Sequence, residues 1–395
     1  MNLPWRERRH PGADDLYSCI YGSIVDVALA KRGPAAVEQL LKHAEVDGTY
    51  PAIRRFLREA SVDTDAVEAR SYRDFALGLS ILKAETARVS SHLSETGTRH
   101  VILKGAPLAA LLHGDPRARQ STDVDLLVEP SDVPRVIDLL VHELGYERPS
   151  RQAIKPWSTN QLLLRHSDNR LLLEVHWLLA KPNEFSGRIE PQWSQIQHVE
   201  LLGASIPVLG RADLLLHLCL HAIQHNASLK TVGDLAAWLD TWGPGGLAED
   251  WPYVVDRLGR PAALWPIQVV ENLSGVRLTE DMNPVSGLLA WQSTERILEA
   301  YVDGASTQRV FYPQDHASFA AKILGVLQLG LSRGAISNRR ILLQMLHPLL
   351  FGPHRIGRAI FAALERAQVL EREDLFAESV YEAIRRRIAG RFGSN

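Results

Sequence analysis

Asp123 and Asp125 stand one valine apart in the run Asp123-Val124-Asp125-Leu126-Leu127-Val128. Side chains alternate across an extended strand, so both carboxylates leave one face while Val124 and Leu126 leave the other. Two carboxylates this close repel, and each raises the other's pKa unless a cation joins them. Such an oxygen-rich pair suits Mg²⁺ or Mn²⁺, which complete their shells with water and phosphate oxygens. The same period of two puts Glu174 and His176 on one face of a second apolar run, Leu171 to Trp177. If the two strands are neighbours, Glu174 becomes a third acidic ligand. His176 then either orients a carboxylate or rests beside Trp177 at the strand's end. An isolated Asp-x-Asp is common, with a solvated strand end as its alternative meaning. Here the pair is flanked by apolar residues, which favours burial.

The elements that must position these groups follow from punctuation and periodicity. Val101-Ile102-Leu103 is a short buried strand that ends at Lys104-Gly105. Pro107 suits the first turn of a helix whose stripe is Leu108, Leu111 and Leu112, and Gly114-Asp115-Pro116 stops it. A polar loop, Arg117 to Thr122, leads into the Asp123 strand. Ser131 as N-cap, Pro134 in the first turn, a stripe from Val133 to Leu144 and Gly145 as the stop define another helix. Gln161 to Arg165 and Leu171 to Trp177 flank Ser167-Asp168-Asn169, the pattern of an antiparallel hairpin.

Before this unit the chain reads as helices, among them Tyr72 to Leu93 with Phe75, Leu77, Leu79, Leu82 and Val89 at mixed helical spacings. After Pro207 it is helical again, most clearly over Leu214 to Ile223, Leu235 to Leu239, Ala317 to Leu331 and Arg340 to Leu350. The expected class is α+β, a small mixed β-sheet core flanked by N- and C-terminal helical regions. The boundaries fall at residues 1–98, 99–200 and 201–395. No phosphate-binding glycine loop of the P-loop or dinucleotide type is present.

Val101 to Gly105, Arg119 to Val128 and Leu173 to Trp177 together resemble a bacterial family of nucleotidyltransferase-like proteins. That family lies within the DNA polymerase beta-like nucleotidyltransferase superfamily. The resemblance extends over the Pro130 to Tyr146 helix and, more loosely, Leu218 to Asp234. It implies a small mixed sheet carrying three carboxylates around two Mg²⁺ ions, with Asp123, Asp125 and Glu174 as both catalytic and metal-binding residues. It also implies nucleotide contacts from Lys104, a point charge for phosphate, and Gly105, where backbone approaches closely. Arg119 and Thr122 join them. The turn departs from better-known members, with Lys-Gly-Ala in place of Gly-Ser and a longer loop before the acidic pair, so no serine hydroxyl lies within the turn.

His217, His221 and His225 recur every four residues and share a helix face. His221 and His225 resemble family positions, and with His176, Lys230 and Asp234 they form the candidate acceptor cleft. Lys230 and Asp234, also four apart, read alternatively as a helix-surface ion pair. The signature His-Glu-x-x-His is absent, which argues against a zinc hydrolase. Arg385, Arg386, Arg387 and Arg391 form a basic run that acidic neighbours upstream compensate. Trp5, Trp157 and the other tryptophans show no stacking pattern.

The chain of 395 residues carries 44 Lys and Arg against 46 Asp and Glu, so no global field draws it to nucleic acid. Its two cysteines, Cys19 and Cys219, make neither a disulfide framework nor a cysteine-rich metal site. Met1 to Asp15 lacks the apolar core of a secretory signal, and Ile341 to Phe351 is too short to span a bilayer; the expected location is the cytoplasm. The expected reaction is transfer of a nucleotidyl group, AMP foremost, from a nucleoside triphosphate to an acceptor with release of pyrophosphate. A small molecule, peptide or sugar is favoured over nucleic acid as acceptor. The alternatives are a non-catalytic module binding nucleotide or a partner on the same fold, and a phosphotransferase using the same metal site.

Overall fold

Short runs of branched apolar residues form a five-stranded sheet: β1 (His100–Ile102), β2 (Asp123–Val128), β3 (Tyr146–Glu147), β4 (Gln161–His166) and β5 (Leu172–His176). The computed structural model describes residues 15–62, 64, 71–148, 160–168, 171–180, 189–225, 227–280 and 284–303. The strand order is β1-β2-β5-β4-β3; β2 and β5 run parallel and every other pair antiparallel. The hairpin expected between the 161 and 171 runs is the β4–β5 pair, with Leu163 opposite Glu174. The β2–β5 register places Asp125 beside Glu174 and Leu127 beside His176.

Ten helices accompany the sheet among the described residues. Before it come α1 (Leu16–Arg32), α2 (Ala35–Asp47), α3 (Tyr50–Glu59) and α4 (Ser71–Glu95). Between strands lie α5 (Ala106–His113) and α6 (Val133–His142); after them follow α7 (Arg211–Gln224), α8 (Leu229–Leu258), α9 (Arg260–Ser274) and α10 (Pro284–Tyr301). Helix α5 carries proline in its first turn and ends at a left-handed Gly114, as its punctuation requires. Helix α6 differs from expectation at its start: it begins after Asp132, without a side-chain cap from Ser131. Helix α8 bends at Gly243, whose φ of 66° no L-residue adopts readily, and Pro244 then restarts the helix.

The two faces of the sheet meet different cores. Ile102, Val124, Leu126, Val128, Leu173 and Val175 pack against α4 and α6. Val101, Leu103 and Leu127 join a larger cluster that draws together α1–α3, α5 and α7–α10. By alternation, Asp123 and Asp125 share a face with Leu127, so the carboxylates are turned toward the second cluster. Contact between α1 and α8 is close at Gly233, where a Cβ would lie 2.3 Å from the Tyr21 hydroxyl.

A two-stranded hairpin, β6 (Gln197–Leu201) and β7 (Ala204–Val208), was not anticipated. Its Leu202-Gly203 turn has φ of 54° and 80°. Leucine occupies a place where asparagine or aspartate would have signalled the turn. Leu77, counted in the apolar pattern of α4, is 63% exposed. The helices expected at Ala317 to Leu331 and Arg340 to Leu350 lie outside the described residues, as do Trp5, Trp157 and the C-terminal arginines. No described helix is long and apolar enough to cross a membrane. Cys19 and Cys219 are both buried thiols.

Candidate active site

Asp125 is the centre of the polar face. It is 2% exposed, and its Oδ1 lies 3.0 Å from Lys104 Nζ and 3.2 Å from His176 Nε2. The backbone explains the first contact: the Leu103 N–H donates to the Asp125 carbonyl at 2.9 Å, so the chain leaves β1 directly beside Asp125. The second follows from register, since Glu174 and His176 stand on the strand paired in parallel with β2. Burial works to raise the Asp125 carboxyl, but the Lys104 ammonium and His176 outweigh it and hold the group well below the usual carboxylate range. Burial also works against the charged imidazole of His176; its hydrogen bonds to Asp125 and Glu174 overcome that and raise its pKa.

Asp123 sits two residues back on the same face and is less buried. Its carboxyl is raised, first by burial and then by the Asp125 charge, with Lys104 opposing. Glu174 receives a hydrogen bond from Gln161 Nε2 at 2.8 Å and lies 3.4 Å from His176. One ligand atom from each of Asp125, Glu174 and His176 falls within 4.8 Å of the others. Asp123, expected beside Asp125 as a ligand, is outside that compact set, and His176, expected in the acceptor cleft, is inside it.

Gly105 adopts φ 78°, ψ −147° ahead of α5, a conformation open to glycine. Ser121 Oγ would lie 3.6 Å from a Cβ at that position and donates to the Asp123 carbonyl at 3.1 Å. The hydroxyl beside the Lys-Gly-Ala turn thus belongs to the loop before β2. Neighbouring Thr122 is exposed.

Arg119 points the other way. It is 5% exposed, and its Nε donates to both oxygens of Asp234 at 2.8 and 3.0 Å. The surface ion pair between Lys230 and Asp234 is therefore corrected: Asp234 is 4% exposed and paired with Arg119. The Lys230 backbone N–H instead donates to Asp47 Oδ2 at 3.2 Å. Burial pushes the Lys230 ammonium down to about 8, assisted by Arg119. Asp47 is pushed up to about 7, again by burial. Nothing local in the sequence pointed to Asp47 or Gln161, because each gains its partner only across the fold.

His217 and His221 stack at 6.0 Å between centroids, and His221 meets His225 edge-on at 4.4 Å. Burial lowers His217 to about 3, His221 well below its ordinary value and His225 to about 4. The Lys104 charge is the next cause for all three, which sets this column of neutral imidazoles alongside the Lys104–Asp125 pair.

A family model described as an uncharacterised nucleotidyltransferase matches residues 33–270. No curated protein matches. Among solved structures, that of an antigenic nucleotidyltransferase-like protein from Paracoccidioides brasiliensis is similar at 19% identity. The similarity covers 47% of this chain and 92% of that one, with a TM-score of 0.30. The family match spans more than half the chain and includes β1, β2, β5 and the α7–α8 histidine and Arg119–Asp234 region; the chain belongs to the uncharacterised nucleotidyltransferase family.

Proposed function

We propose that this protein transfers a nucleotidyl group, AMP foremost, from a nucleoside triphosphate to an acceptor and releases pyrophosphate. The observation that carries the reading is the Asp125–Glu174–His176 donor set beside Lys104 and the left-handed Gly105. Two carboxylates and an imidazole with converging ligand atoms fit a divalent cation, and the Asp123 carboxyl, raised first by burial and then by the Asp125 charge, is one that a cation would lower. Asp125, Glu174 and His176 would hold it, with Asp123 at the open end of the same face. Bound there, Mg²⁺ or Mn²⁺ supplies Lewis-acid polarisation of phosphoryl oxygens and activation of an attacking hydroxyl.

The chain's own groups do the positioning. Lys104 compensates Asp125 and is within reach of a phosphate that displaces it from that carboxylate. Gly105 lets backbone approach phosphate without a Cβ in the way, beside a Ser121 hydroxyl that donates to the Asp123 carbonyl. Without a cation, His176 Nε2 bridges Asp125 and Glu174, the place that a cation would take. The neutral histidine column presents polarity without added charge on the acceptor side.

The test is thermal stabilisation by each nucleoside triphosphate with Mg²⁺, compared between wild type and Asp123→Asn/Asp125→Asn, followed by product analysis. Nucleotide at ~100 times its dissociation constant adds about 2.7 kcal/mol, a shift of several degrees. A metal-dependent shift lost in the double variant, with label from the α-phosphate entering product, supports nucleotidyl transfer. Release of ADP would identify a phosphotransferase. No shift with any nucleotide would overturn the triphosphate site and leave a partner-binding module.

A further inference from the structure

A small cleft opens among α1, the α2–α3 turn, α5 and α8, lined by Tyr17, Tyr21, Thr49, His113, Arg119 and Lys230 among others. Lys104, Asp123, Asp125, Glu174 and His176 are not among its lining residues. Its walls hold donors that no described residue satisfies. Arg119 gives its Nε to Asp234, but its Nη2 is buried with no hydrogen-bond partner among the described residues. Lys230 has no ion pair with any described residue, and its ammonium lies against Gly48, where a Cβ would come within 3.0 Å of Nζ. The Tyr17 hydroxyl likewise has no partner among the described residues.

Charge points the same way. The one carboxylate in the lining, Asp234, is engaged by Arg119. Asp47 receives the Lys230 backbone N–H and has a carboxyl pushed up to about 7, so it offers only part of a counter-charge. A buried donor left unpaired is costly, and native structures keep few of them without a reason; Arg119 Nη2 is one, with the half-buried Lys230 and Tyr17 lining the same cleft.

We propose that this cavity is an oxyanion site for a carboxylate or phosphate group carried by the acceptor substrate, held by Arg119 Nη2, Lys230 Nζ and the Tyr17 hydroxyl. The assignment to the acceptor rests on the transferase reading above; the oxyanion site itself does not. Size separates the acceptor from the nucleotide. The enclosed space is about 10 Å³, room for one water or one anionic oxygen and not for a nucleoside triphosphate. The family's carboxylate face lies outside it, adjacent through Arg119, whose charge is felt by both Asp123 and Asp125.

Calorimetric titration of the full-length, metal-free chain with inorganic phosphate, against chloride at equal ionic strength, tests the site. Wild type should bind phosphate. Lys230→Met should weaken it about tenfold or more and Tyr17→Phe several-fold, as for loss of a hydrogen bond to a charged group. Tyr17→Phe removes only a hydroxyl and guards against a Lys230→Met variant that fails to fold. Absence of phosphate binding in wild type, or equal binding by wild type, Lys230→Met and Tyr17→Phe, overturns the proposal. Repeating the titration with a saturating non-hydrolysable ATP analogue and Mg²⁺ distinguishes the sources. Undiminished phosphate binding supports the acceptor's acidic group. Displacement of phosphate overturns that assignment in favour of the nucleotide's own phosphates. An analogue that does not bind, with phosphate binding intact, overturns the transferase reading and the word acceptor while the oxyanion site stands.

Discussion

Arg119 and Asp234, 115 residues apart, form a buried pair in which one guanidinium nitrogen reaches both carboxylate oxygens at 2.8 and 3.0 Å. The pair ties the loop before β2 to α8, and so ties the carboxylate strand to the helical cluster. Removing one partner from a buried pair leaves an uncompensated charge, at ~3–5 kcal/mol. Asp234→Asn should therefore lower stability by about that much. The double variant Arg119→Met/Asp234→Leu should recover most of it. Urea denaturation of the three proteins checks both expectations; a single variant as stable as wild type would show that the pair is solvated.

Gln161 holds the Glu174 carboxylate at 2.8 Å without belonging to the donor set. Residues in that position orient ligands, and their loss typically costs ~10–100-fold in metal affinity. Gln161→Leu should weaken Mn²⁺ binding about tenfold, read by electron paramagnetic resonance of free Mn²⁺. Glu174→Gln should weaken it further. Unchanged Mn²⁺ affinity in both variants would remove the β5 carboxylate from the metal site.

Asp47 gives stability a pH dependence of known sign. Its folded pKa, about 7, lies above the ordinary aspartate value of 3.8, so between these values the folded chain binds the extra proton. The contribution is present in full below about 4 and is lost as pH rises through about 7. Asp47→Asn removes this term. The stability difference, variant minus wild type, should grow between pH 4 and 7 and level off above, as measured by urea midpoints. A difference that stays flat over this window would mean that Asp47 ionises normally.

Gly233 faces Tyr21 so closely that an added methyl would meet the hydroxyl at 2.3 Å and ring carbons at 2.8 and 2.9 Å. Gly233→Ala should destabilise by ~1–3 kcal/mol through overpacking. Tyr21→Phe in the same chain should relieve part of that loss, since the nearest atom is then gone. It also forfeits the Tyr21 hydroxyl's bond to the Leu229 carbonyl at 3.1 Å. A thermal-melt cycle over the four proteins would show this coupling as non-additivity.

Local pattern carried much of this protein. Alternation alone placed Asp123 with Asp125 and Glu174 with His176, because a strand's period does not depend on what surrounds it. Proline and glycine delimited α5, and the hairpin spacing foretold the β4–β5 pair. Tertiary structure decided which of these faces meet, and with what. The parallel β2–β5 register put Glu174 beside Asp125, and packing against the second core brought Lys104 and His176 to the same carboxylate. Lys230 and Asp234 show the limit most clearly. Their spacing of four predicts a surface pair, the only partnership visible along one helix. A buried charge instead takes whichever countercharge the fold delivers, and here that is Arg119, brought across 115 residues by the packing of α8 against the sheet's loops.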